Sequence, residues 1–574
     1  MMRLAAHHVL ALESSIVKAT SHNGFITKSL NCLSAAFTTG VNATVPGKLH
    51  ICVVGSGPAG FYTVDRLLKR YGDAVHISVL DRLPTPFGLV RSGVAPDHQD
   101  TKNVINQFGS VAADPRVSFH GNVLVGRDVD VSELRALHHA VVLAYGAESD
   151  RRLGIPGEEP SVGSTDGGGG GGGGGVFSAR EFVWWYNGHP DAAHLPIDLS
   201  KVRSVAICGI GNVALDCARA LLAPPARFVP TDMAAHALAQ LAGRGGPGFG
   251  GGGAAGSSVR EVHLVARRGP VQAACTPKEL KELLTECGVS ARTAAPDQLV
   301  VSEADAAEMK ATRLKRRVHE LVTRAVADAA EAAGAGGAAK GAEEEAARRD
   351  LFFQFYRNPV EIRREGPDGA VTGLRVERTV VRPDGPGGAS VAVGSGEYDT
   401  IECQLVLKSI GYKSLPLQGV AFDSRRGVVV HREGRVLKQA SPADTLNSGA
   451  AAAANGGGAA PATDLGLYVV GWLKRGPTGI IGTNLVDADE TAASLVADTD
   501  ALVRAAEMTH GSAGPPGLGG LSALLRQRGV RVVDWRRWRM LDEQEVAAGR
   551  AMGRVREKVT EVREMLRRAG FEMQ

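Results

Sequence analysis

The sequence has few cysteines, none of them paired in a motif. Its seven cysteines stand at positions 32, 52, 208, 217, 275, 287 and 403, and no two of them form a C-x-x-C pair. This spacing excludes a local zinc ribbon, an iron–sulfur cluster of common cysteine spacing and a C-x-x-C dithiol centre, and we predict no metal site. An odd, dispersed set of thiols is typical of a reducing intracellular compartment.

Excess charge and long hydrophobic runs are also lacking. The formal net charge is +4 over 574 residues, so bulk charge gives no sign of nucleic-acid binding. No apolar run reaches the roughly 18–20 residues that span a bilayer, so we predict no transmembrane segment and leave peripheral membrane contact open. Hydrophobic residues make up 44% of the chain, which is enough for hydrophobic cores. The length suggests two to four domains at about 150 residues each.

Residues 1–47 differ in composition from the rest. They are rich in Ser, Thr and Ala, carry Arg3, Lys18 and Lys28, and contain one acidic residue, Glu13. This composition is typical of an organelle transit peptide, which we predict here. The alternative is a disordered tail that stays attached.

Four low-complexity stretches interrupt the remaining sequence. They are rich in Gly or Ala and cover 167–175, 245–256, 326–348 and 448–463. Because they lack the large apolar side chains that a packed core needs, we interpret them as surface-loop insertions.

The ordered segments alternate strands with helices. "HICVV" and "HISVLD" flank a helical stretch that contains 62–70, and "SVAIC" and "EVHLVA" flank another around 213–222. Strand–helix–strand repetition predicts an α/β fold with parallel sheets and helices on both faces.

The first strand–helix pair carries a dinucleotide-binding motif. "GSGPAG" places Gly55, Gly57 and Gly60 in G-x-G-x-x-G, where they allow a tight turn, backbone approach to a pyrophosphate and close helix packing. Asp81 ends the next strand, where an acid binds a ribose hydroxyl. We predict a dinucleotide site here; the alternative is a structural glycine turn.

The second pair repeats this motif with one change. Gly209 and Gly211 occupy the first two positions and Ala214 the third, but the acid is replaced by Arg267 and Arg268. An arginine pair alone is most often solvated, yet at this position it accommodates a 2′-phosphate. We therefore predict NADP(H) at the second site and FAD at the first, with a hydride passing between them.

Longer motifs resemble the adrenodoxin reductase family, the mitochondrial-type ferredoxin–NADP reductases. They are "VVGSGPAGFYT", "PFGLVRSGVAPDHQDTKNV", "VVLAYGAE", "GIPGE", "SAREFVWWYNGHP", "GNVALDCAR", "RRGPVQ", "KSIGYKS" and "GWLKRGPTGIIGTN". The resemblance covers most of residues 48–565 and breaks at the low-complexity inserts. It implies two Rossmann-like nucleotide-binding domains, with the NADP domain inserted into a discontinuous FAD domain. The boundaries would be 48–149 and 410–574 for the FAD domain and 150–409 for the NADP domain.

The resemblance also implies cofactor contacts at matching positions. Those for FAD would be Ala59, Asp81, Leu89, Val125, Trp472 and Ile481. Those for NADP(H) would be Gly211, Asn212, Val213, Arg267, Arg268, Glu279 and Gly479, with Ile480 also among the cofactor contacts. The family usually has Glu at the position of Asp81, and the shorter acid can still accept the same hydrogen bond.

Three residues have competing interpretations. The resemblance places His98 beside the flavin and nicotinamide, in a network with Asp216, but hydride transfer needs no general base. His98 is therefore a positioning residue or a hydrogen-bonded structural histidine. "TPKE" makes Glu279 either a nicotinamide contact or the partner of Thr276 in a helix capping box. We favour the cofactor contact. Trp184, with its neighbours Trp185 and Tyr186, could serve either in packing or as a redox relay, and we expect packing.

A basic run marks a partner surface. Lys310, Arg313, Arg316 and Arg317 lie in its densest part, and the family uses a basic surface here to receive an acidic ferredoxin. Steering by charge suits a transient redox complex, although a solvated helix face is the alternative. The resemblance implies a monomer, a [2Fe–2S] ferredoxin of adrenodoxin type supplying cytochrome P450 or iron–sulfur and haem synthesis, and the mitochondrial matrix rather than a plastid.

The predicted function is thus FAD-dependent NADPH:ferredoxin oxidoreduction. A pyridine-nucleotide disulfide reductase would need the dithiol pair that the sequence lacks. An FAD- and NADPH-dependent monooxygenase, or a degenerate nucleotide-binding scaffold, remain as alternatives that turnover would distinguish.

Overall fold

The structure is a computed structural model that describes residues 48–159, 174–242, 257–335, 348–366, 369–383, 390–439 and 462–572. The predicted transit peptide lies outside these residues, as do most residues of the four low-complexity stretches. Residues 49–574 form one compact unit. Within the described ranges, no helix is long and apolar enough to cross a bilayer.

The strands, in chain order, are β1 (Leu49–Val54), β2 (Val75–Leu80), β3 (Val117–His120), β4 (Ala140–Leu143), β5 (Ser149–Asp150), β6 (Val176–Ser178), β7 (Ser204–Cys208), β8 (Glu261–Val265), β9 (Ser290–Thr293), β10 (Asp350–Gln354), β11 (Arg357–Glu365), β12 (Ala370–Pro383), β13 (Ser390–Glu402), β14 (Leu405–Lys408), β15 (Tyr412–Lys413), β16 (Phe422–Asp423), β17 (Val428–Val429), β18 (His431–Arg432), β19 (Arg435–Leu437) and β20 (Thr463–Val469).

The α-helices are α1 (Pro58–Tyr71), α2 (Leu89–Ser92), α3 (Gln99–Lys102), α4 (Val104–Ala112), α5 (Val131–Leu137), α6 (Ala179–Asn187), α7 (Asn212–Leu222), α8 (Ala235–Ala242), α9 (Pro277–Glu286), α10 (Glu303–Ala311), α11 (Arg313–Ala335), α12 (Trp472–Arg475), α13 (Thr483–Ala497), α14 (Thr499–His510), α15 (Gly517–Gln527), α16 (Trp535–Ala551) and α17 (Val562–Arg568).

Two large sheets organise the molecule. The first has the order β18-β19-β20-β4-β1-β2-β3, and its last five strands run parallel. The second, β6-β14-β7-β8-β10-β9, is parallel throughout. We call the first sheet with its helices the first lobe and the second sheet with its helices the second lobe. Since the first lobe takes strands from both sides of the second in sequence, the fold class of an inserted domain is confirmed.

The two chain crossings between the lobes pair with each other. The short strand β5 leaves the first lobe, β15 returns to it, and the two are antiparallel, with Ser149 opposite Lys413 and Asp150 opposite Tyr412. Arg180 of α6 binds Asp150 at 2.6 Å and so fixes this ribbon to the second lobe. The predicted boundaries near 149 and 409 fall beside these strands and stay a prediction.

Each lobe has its own hydrophobic core. Buried side chains of β1, β4 and β20, mostly Val and Leu, form one, as a parallel sheet covered on both faces requires. The other packs the second sheet against α6, α7 and α9 and contains Trp185 and Tyr186, whose expected packing role is confirmed.

Two features differ from the sequence interpretation. Residues 357–402 contain a three-stranded antiparallel sheet, β11-β12-β13, which strand–helix alternation did not predict. The interpretation of 326–348 as a loop insertion is wrong for its first ten residues, because 326–335 continue α11. Alanine is the best helix former, so a segment without large apolar side chains still extends an existing helix.

The C-terminal segment is bound to the first lobe through a buried carboxylate. Glu545 of α16 is fully buried and accepts hydrogen bonds from both terminal nitrogens of Arg91 in α2, at 2.8 and 2.6 Å. Arg556 at 3.0 Å and the backbone N–H of Val559 at 2.9 Å complete its partners. Although burial raises the pKa of Glu545, Arg91 and Arg556 hold it below its usual range.

We predict that Glu545→Gln lowers the free energy of unfolding by about 3–5 kcal/mol, because the buried Arg91 guanidinium loses its counter-charge. Urea unfolding followed by circular dichroism measures the change. Glu564→Gln is the control, since this carboxylate pairs with Arg567 and Arg568 at the surface and should cost at most about 1 kcal/mol. Equal effects of the two substitutions would contradict the assignment.

Candidate active site between two glycine turns

The first glycine turn joins β1 to α1 and leaves an opening at its second glycine. Gly55 has φ +110°, and a Cβ there would lie 2.5 Å from the Ala144 carbonyl oxygen. A Cβ on Gly60 would lie 2.0 Å from the Gly55 oxygen. A Cβ on Gly57 would meet no atom within 4 Å. Packing therefore requires the first and third glycines, whereas the second borders open space at the N-terminus of α1.

The second turn, between β7 and α7, repeats this geometry. Gly209 has φ +126°, and its Cβ would lie 2.2 Å from the Ser409 carbonyl oxygen, while Gly211 again borders open space. Ala214 is fully buried where the motif needs close helix packing. The two turns thus offer equivalent openings, each at a helix N-terminus where backbone N–H groups attract phosphate.

Asp81 follows β2 directly and is held in one orientation. Its carboxylate accepts hydrogen bonds from the backbone N–H of Ser56 at 3.0 Å, from the Ser56 hydroxyl, and from the backbone N–H of Leu83 at 3.0 Å. Burial raises the pKa of Asp81 in spite of these donors. The acid therefore stands preorganised beside the first glycine turn.

Arg267 and Arg268 follow β8 and are exposed. The Arg267 carbonyl accepts a hydrogen bond from the Thr379 hydroxyl at 2.7 Å, which fixes the backbone. Within the part of the chain that the structure describes, neither guanidinium forms an ion pair. Both cations are therefore available to an anion.

A cavity of about 690 Å³ reaches the first turn and the start of α7, which directly follows the second turn. Of the predicted site residues, those that line it are Gly55, Gly57, Ala59, Asp81, Leu89, His98, Val125, Asn212, Val213, Asp216, Glu279, Trp472, Gly479, Ile480 and Ile481. Those that do not are Gly60, Gly209, Gly211, Ala214, Arg267 and Arg268. The structure thus brings most of the predicted residues, including those at 472–481, to one cavity.

The hydrogen bonds of the Thr276 and Glu279 backbone N–H groups decide between the two interpretations of Glu279. Thr276 is the N-cap of α9, and its hydroxyl accepts a hydrogen bond from the Glu279 N–H at 3.4 Å. The reciprocal bond of a capping box is missing, because the Thr276 N–H donates instead to Asn212 Oδ1 at 2.8 Å. The Glu279 carboxylate is therefore free to line the cavity.

His98 lies where the lobes meet and binds α9. Its Nε2 is 3.0 and 3.1 Å from the two carboxylate oxygens of Glu282 and 3.5 Å from Glu279 Oε2. His98, Asp216 and Glu279 bring one ligand-type atom each within 4.8 Å of the others. The direct partner of Asp216 is Arg219, at 2.7 Å, and burial raises the pKa of Asp216 to about 6.

Sequence reasoning missed Asp97, Arg219 and Glu282. Although burial raises the pKa of Asp97, hydrogen bonds from Arg219 and Arg227 hold it below its usual range. The available signals were spacings: Asp97 precedes His98, while Arg219 and Glu282 stand one helical turn after Asp216 and Glu279.

Trp184 has more than the packing role expected of it. It lines the cavity, its ring stacks on that of His189 with 3.7 Å between centroids, and the Arg180 guanidinium lies 4.1 Å from its ring centre. No signal in the sequence distinguished it from the buried Trp185.

The predicted partner surface lies outside the cavity lining. Lys310 is at the end of α10, and Arg313, Arg316 and Arg317 are in the first turns of α11; all four are exposed. Arg316 has one acidic neighbour, Glu320, at 3.7 Å. The four side chains form a positively charged surface, which we call the basic surface.

A dinucleotide-type turn in each lobe, and one cavity lined by the first turn and by the start of α7, define the chain as a two-nucleotide oxidoreductase. Residues 49–296 match the family described as pyridine nucleotide-disulphide oxidoreductase. The chain carries no C-x-x-C pair, and its six described cysteines are all buried, so it lacks the dithiol of the disulphide reductases.

More similar proteins narrow this class. The mitochondrial NADPH:adrenodoxin oxidoreductase of Arabidopsis thaliana is 44% identical over 90% of this chain and 95% of its own length. Its counterpart from Homo sapiens is 41% identical over 91% of this chain and 92% of its own length. The structure of FprA from Mycobacterium tuberculosis in complex with NADPH is 34% identical, covers 91% of this chain and 99% of its own, and has a TM-score of 0.73. The chain belongs to the adrenodoxin reductase family.

We predict that Gly55→Ala and Gly57→Ala separate folding from flavin binding. Gly57→Ala should have the melting temperature of the unsubstituted protein. It should bind FAD more weakly, by about tenfold or more, because the methyl group enters the opening. Gly55→Ala should lose about 1–3 kcal/mol of stability, because its backbone is strained and crowded. Differential scanning calorimetry and flavin absorbance after gel filtration measure the two effects, and loss of stability in both variants would contradict this separation.

Proposed function

We propose that this protein is an FAD-dependent NADPH:ferredoxin oxidoreductase. The single observation that carries the proposal is the cavity that is lined both by the first glycine turn and by the start of α7, because electrons must pass between two nucleotides held close together. Relatives that match over nine-tenths of the chain are named NADPH:adrenodoxin oxidoreductase and, in Mycobacterium tuberculosis, NADPH-ferredoxin reductase FprA.

The first site fits FAD. Gly57 gives backbone access at the N-terminus of α1, and Asp81 offers an oriented acceptor for a ribose hydroxyl. Trp472 at the start of α12, with Ile480 and Ile481 in the loop that follows this helix, would enclose the flavin. FAD, when bound, accepts two electrons as a hydride and releases them one at a time.

The second site fits NADP(H). Gly211 and the N-terminus of α7 would hold the pyrophosphate, with Asn212 and Val213 at the start of the helix. Arg267 and Arg268 would bind the 2′-phosphate through paired N–H groups. Glu279, with Gly479, would contact the nicotinamide side.

The chain's own residues orient rather than exchange protons. Hydride transfer between two rings needs no general base, so His98 and Asp216 act by position and charge. His98 is anchored to Glu282 of the second lobe, although it belongs to the first, and so links the surfaces that would hold the two cofactors. Closure of the cavity between the lobes would exclude water from the transfer.

The electron acceptor is a ferredoxin, and we propose the [2Fe–2S] adrenodoxin type docked on the basic surface. Opposite charges speed encounter without tight binding, as repeated one-electron delivery requires. We further propose that the protein works as a monomer in the mitochondrial matrix, since the relatives above from Arabidopsis thaliana and Homo sapiens are named as mitochondrial.

Arg267→Ala should weaken NADPH use by about 1.5–3 kcal/mol in kcat/KM, the value of a charged hydrogen bond, and leave NADH use nearly unchanged. Steady-state kinetics with both coenzymes and ferricyanide as acceptor measures this selectivity. Arg203→Ala removes another exposed arginine, at the start of β7, and should change neither coenzyme. An equal loss with NADPH and NADH would refute 2′-phosphate binding.

The function itself is tested by NADPH-dependent reduction of cytochrome c, with and without an added [2Fe–2S] ferredoxin. We expect ferredoxin-dependent reduction that high salt suppresses. The double variant Arg313→Gln/Arg317→Gln should raise the KM for ferredoxin about tenfold and leave ferricyanide reduction unchanged. Arg536→Gln/Arg550→Gln removes two exposed arginines from α16 and serves as the charge-matched control.

Other outcomes favour other functions. A yellow protein that oxidises NADPH but ignores ferredoxin would point to a monooxygenase. A protein that takes up neither flavin nor NADPH would leave only a nucleotide-binding scaffold.

A further inference from the structure

Arg219 binds carboxylates from both lobes. It lies on α7, one turn after Asp216, and its side chain is 1% exposed. Its Nε donates to Asp97 at 2.7 Å, and its Nη2 donates to Asp216 at 2.7 Å and to Asp97 at 3.2 Å. One guanidinium of the second lobe thereby sets the distance between an acid of the first lobe and an acid that lines the cavity.

Two further carboxylates lie near the same cation. Glu279 Oε2 is 3.8 Å from Nη1, and Glu282 Oε1 is 3.7 Å from Nε. These are the two acids that contact His98. Nη1 and Glu279 Oε2 are buried atoms that have no hydrogen-bond partner among the described residues. Arg219 therefore faces every acid around His98, two through hydrogen bonds and two through charge alone.

Arg227, the other cation of this cluster, does not duplicate Arg219. It binds Asp97 and Glu282 and reaches outward to Glu286 at 2.8 Å, and its side chain is 23% exposed. Among the described residues, no arginine or lysine other than Arg219 forms an ion pair with Asp216. Losing Arg219 would leave the Asp216 carboxylate without a cationic partner.

The surroundings of Asp216 make that loss consequential. Burial raises the pKa of Asp216 to about 6 even with Arg219 beside it. The charged and titratable groups that face it are Arg219 and Cys217 on its own helix, His98 from the first lobe, Glu279 on α9, Tyr186 on α6 and Tyr412 on β15. An opposite charge at hydrogen-bond distance is worth about 1–3 pH units. Without it, Asp216 would be protonated at neutral pH.

We propose that Arg219 is the positioning residue of the site: it holds Asp97 and Asp216 in one arrangement across the lobe junction and supplies the charge that balances the carboxylates around His98. This rests on the proposed function in one respect, namely that the second site receives NADP(H). Oxidised nicotinamide carries a positive charge, so ionised Asp216 and Glu279 favour NADP⁺, and protonation of Asp216 weakens its binding.

The test is NADP⁺ binding by the FAD-loaded full chain across a pH series, read from the change in flavin absorbance. For the unsubstituted protein, affinity should fall as the pH drops through about 6. Arg219→Gln should move this midpoint up by about 1–3 pH units. Arg219→Lys keeps the positive charge but cannot hydrogen-bond Asp97 and Asp216 in the same way. It should therefore restore the midpoint, while flavin reduction by NADPH should be slower than in the unsubstituted protein.

Arg227→Gln is the matched control, since it removes a charge from the same cluster without touching Asp216. Its midpoint should stay near that of the unsubstituted protein. A midpoint in Arg219→Gln that equals that of the unsubstituted protein, or one that Arg227→Gln moves equally, overturns the proposal.

A second measurement covers the case in which Arg219→Gln does not fold. The double variant Asp216→Asn/Arg219→Gln removes the buried acid that Arg219→Gln alone would have to protonate on folding. It should therefore melt at a higher temperature than Arg219→Gln alone at neutral pH, with the difference shrinking towards acid pH. No such recovery overturns the proposal. If NADP⁺ does not bind the unsubstituted protein at any pH, the proposed function fails, and the melting comparison still decides the role of Arg219.

Discussion

Charge that is buried between the two lobes must be neutralised, and this requirement fixes how the lobes face each other. Lys102 and Asp97 belong to the first lobe and are buried, and each has its partner in the second: Asp232 at 2.7 Å and Arg219 at 2.7 Å. Separating these pairs would leave charges in a low-dielectric interior, at a cost of several kcal/mol each. The cavity owes its shape to these pairs, because its lining comes from both lobes.

The C-terminal segment completes this arrangement because it is bound to both lobes. Lys558 donates to Asp232 of the second lobe at 2.9 Å and to the Arg91 carbonyl of the first at 3.0 Å, while Glu545 binds the Arg91 side chain. Burial lowers the pKa of Lys558 to about 7, so charging this amine in the folded protein costs stability, and stability should rise with pH between about 7 and the usual lysine value of 10.5. The last part of the sequence thus supports α2, whose residues line the opening of the first glycine turn.

Much of the fold was predictable because local rules determine it. A buried strand, a glycine turn and a helix leave little freedom, so β1 with α1 and β7 with α7 were predicted close to their observed bounds. The sheet β11-β12-β13 was not, although its strands pair with their neighbours in sequence, because strand formation depends on side-chain packing and burial that a local pattern does not show. The same distinction holds in the site. Residues that belong to a motif, such as Asp81, could be predicted as site residues from the sequence, whereas the contacts of Asp97, Glu282 and Trp184 depend on how the lobes meet.

The hydrogen bonds around Glu279 show how one contact decides between a helix-capping role and a place in the cavity. The sequence "TPKE" is sufficient for a capping box, and nothing local prevents Glu279 from returning to the Thr276 N–H. That N–H donates instead to Oδ1 of Asn212, which follows the second glycine turn. The residue that starts α7, where we propose that NADP(H) binds, therefore also leaves the Glu279 carboxylate in the cavity, where Arg219 and His98 lie within 4 Å of it. The proposed nucleotide site and the carboxylate cluster are consequently coupled through Asn212, and a change at the start of α7 would disturb both.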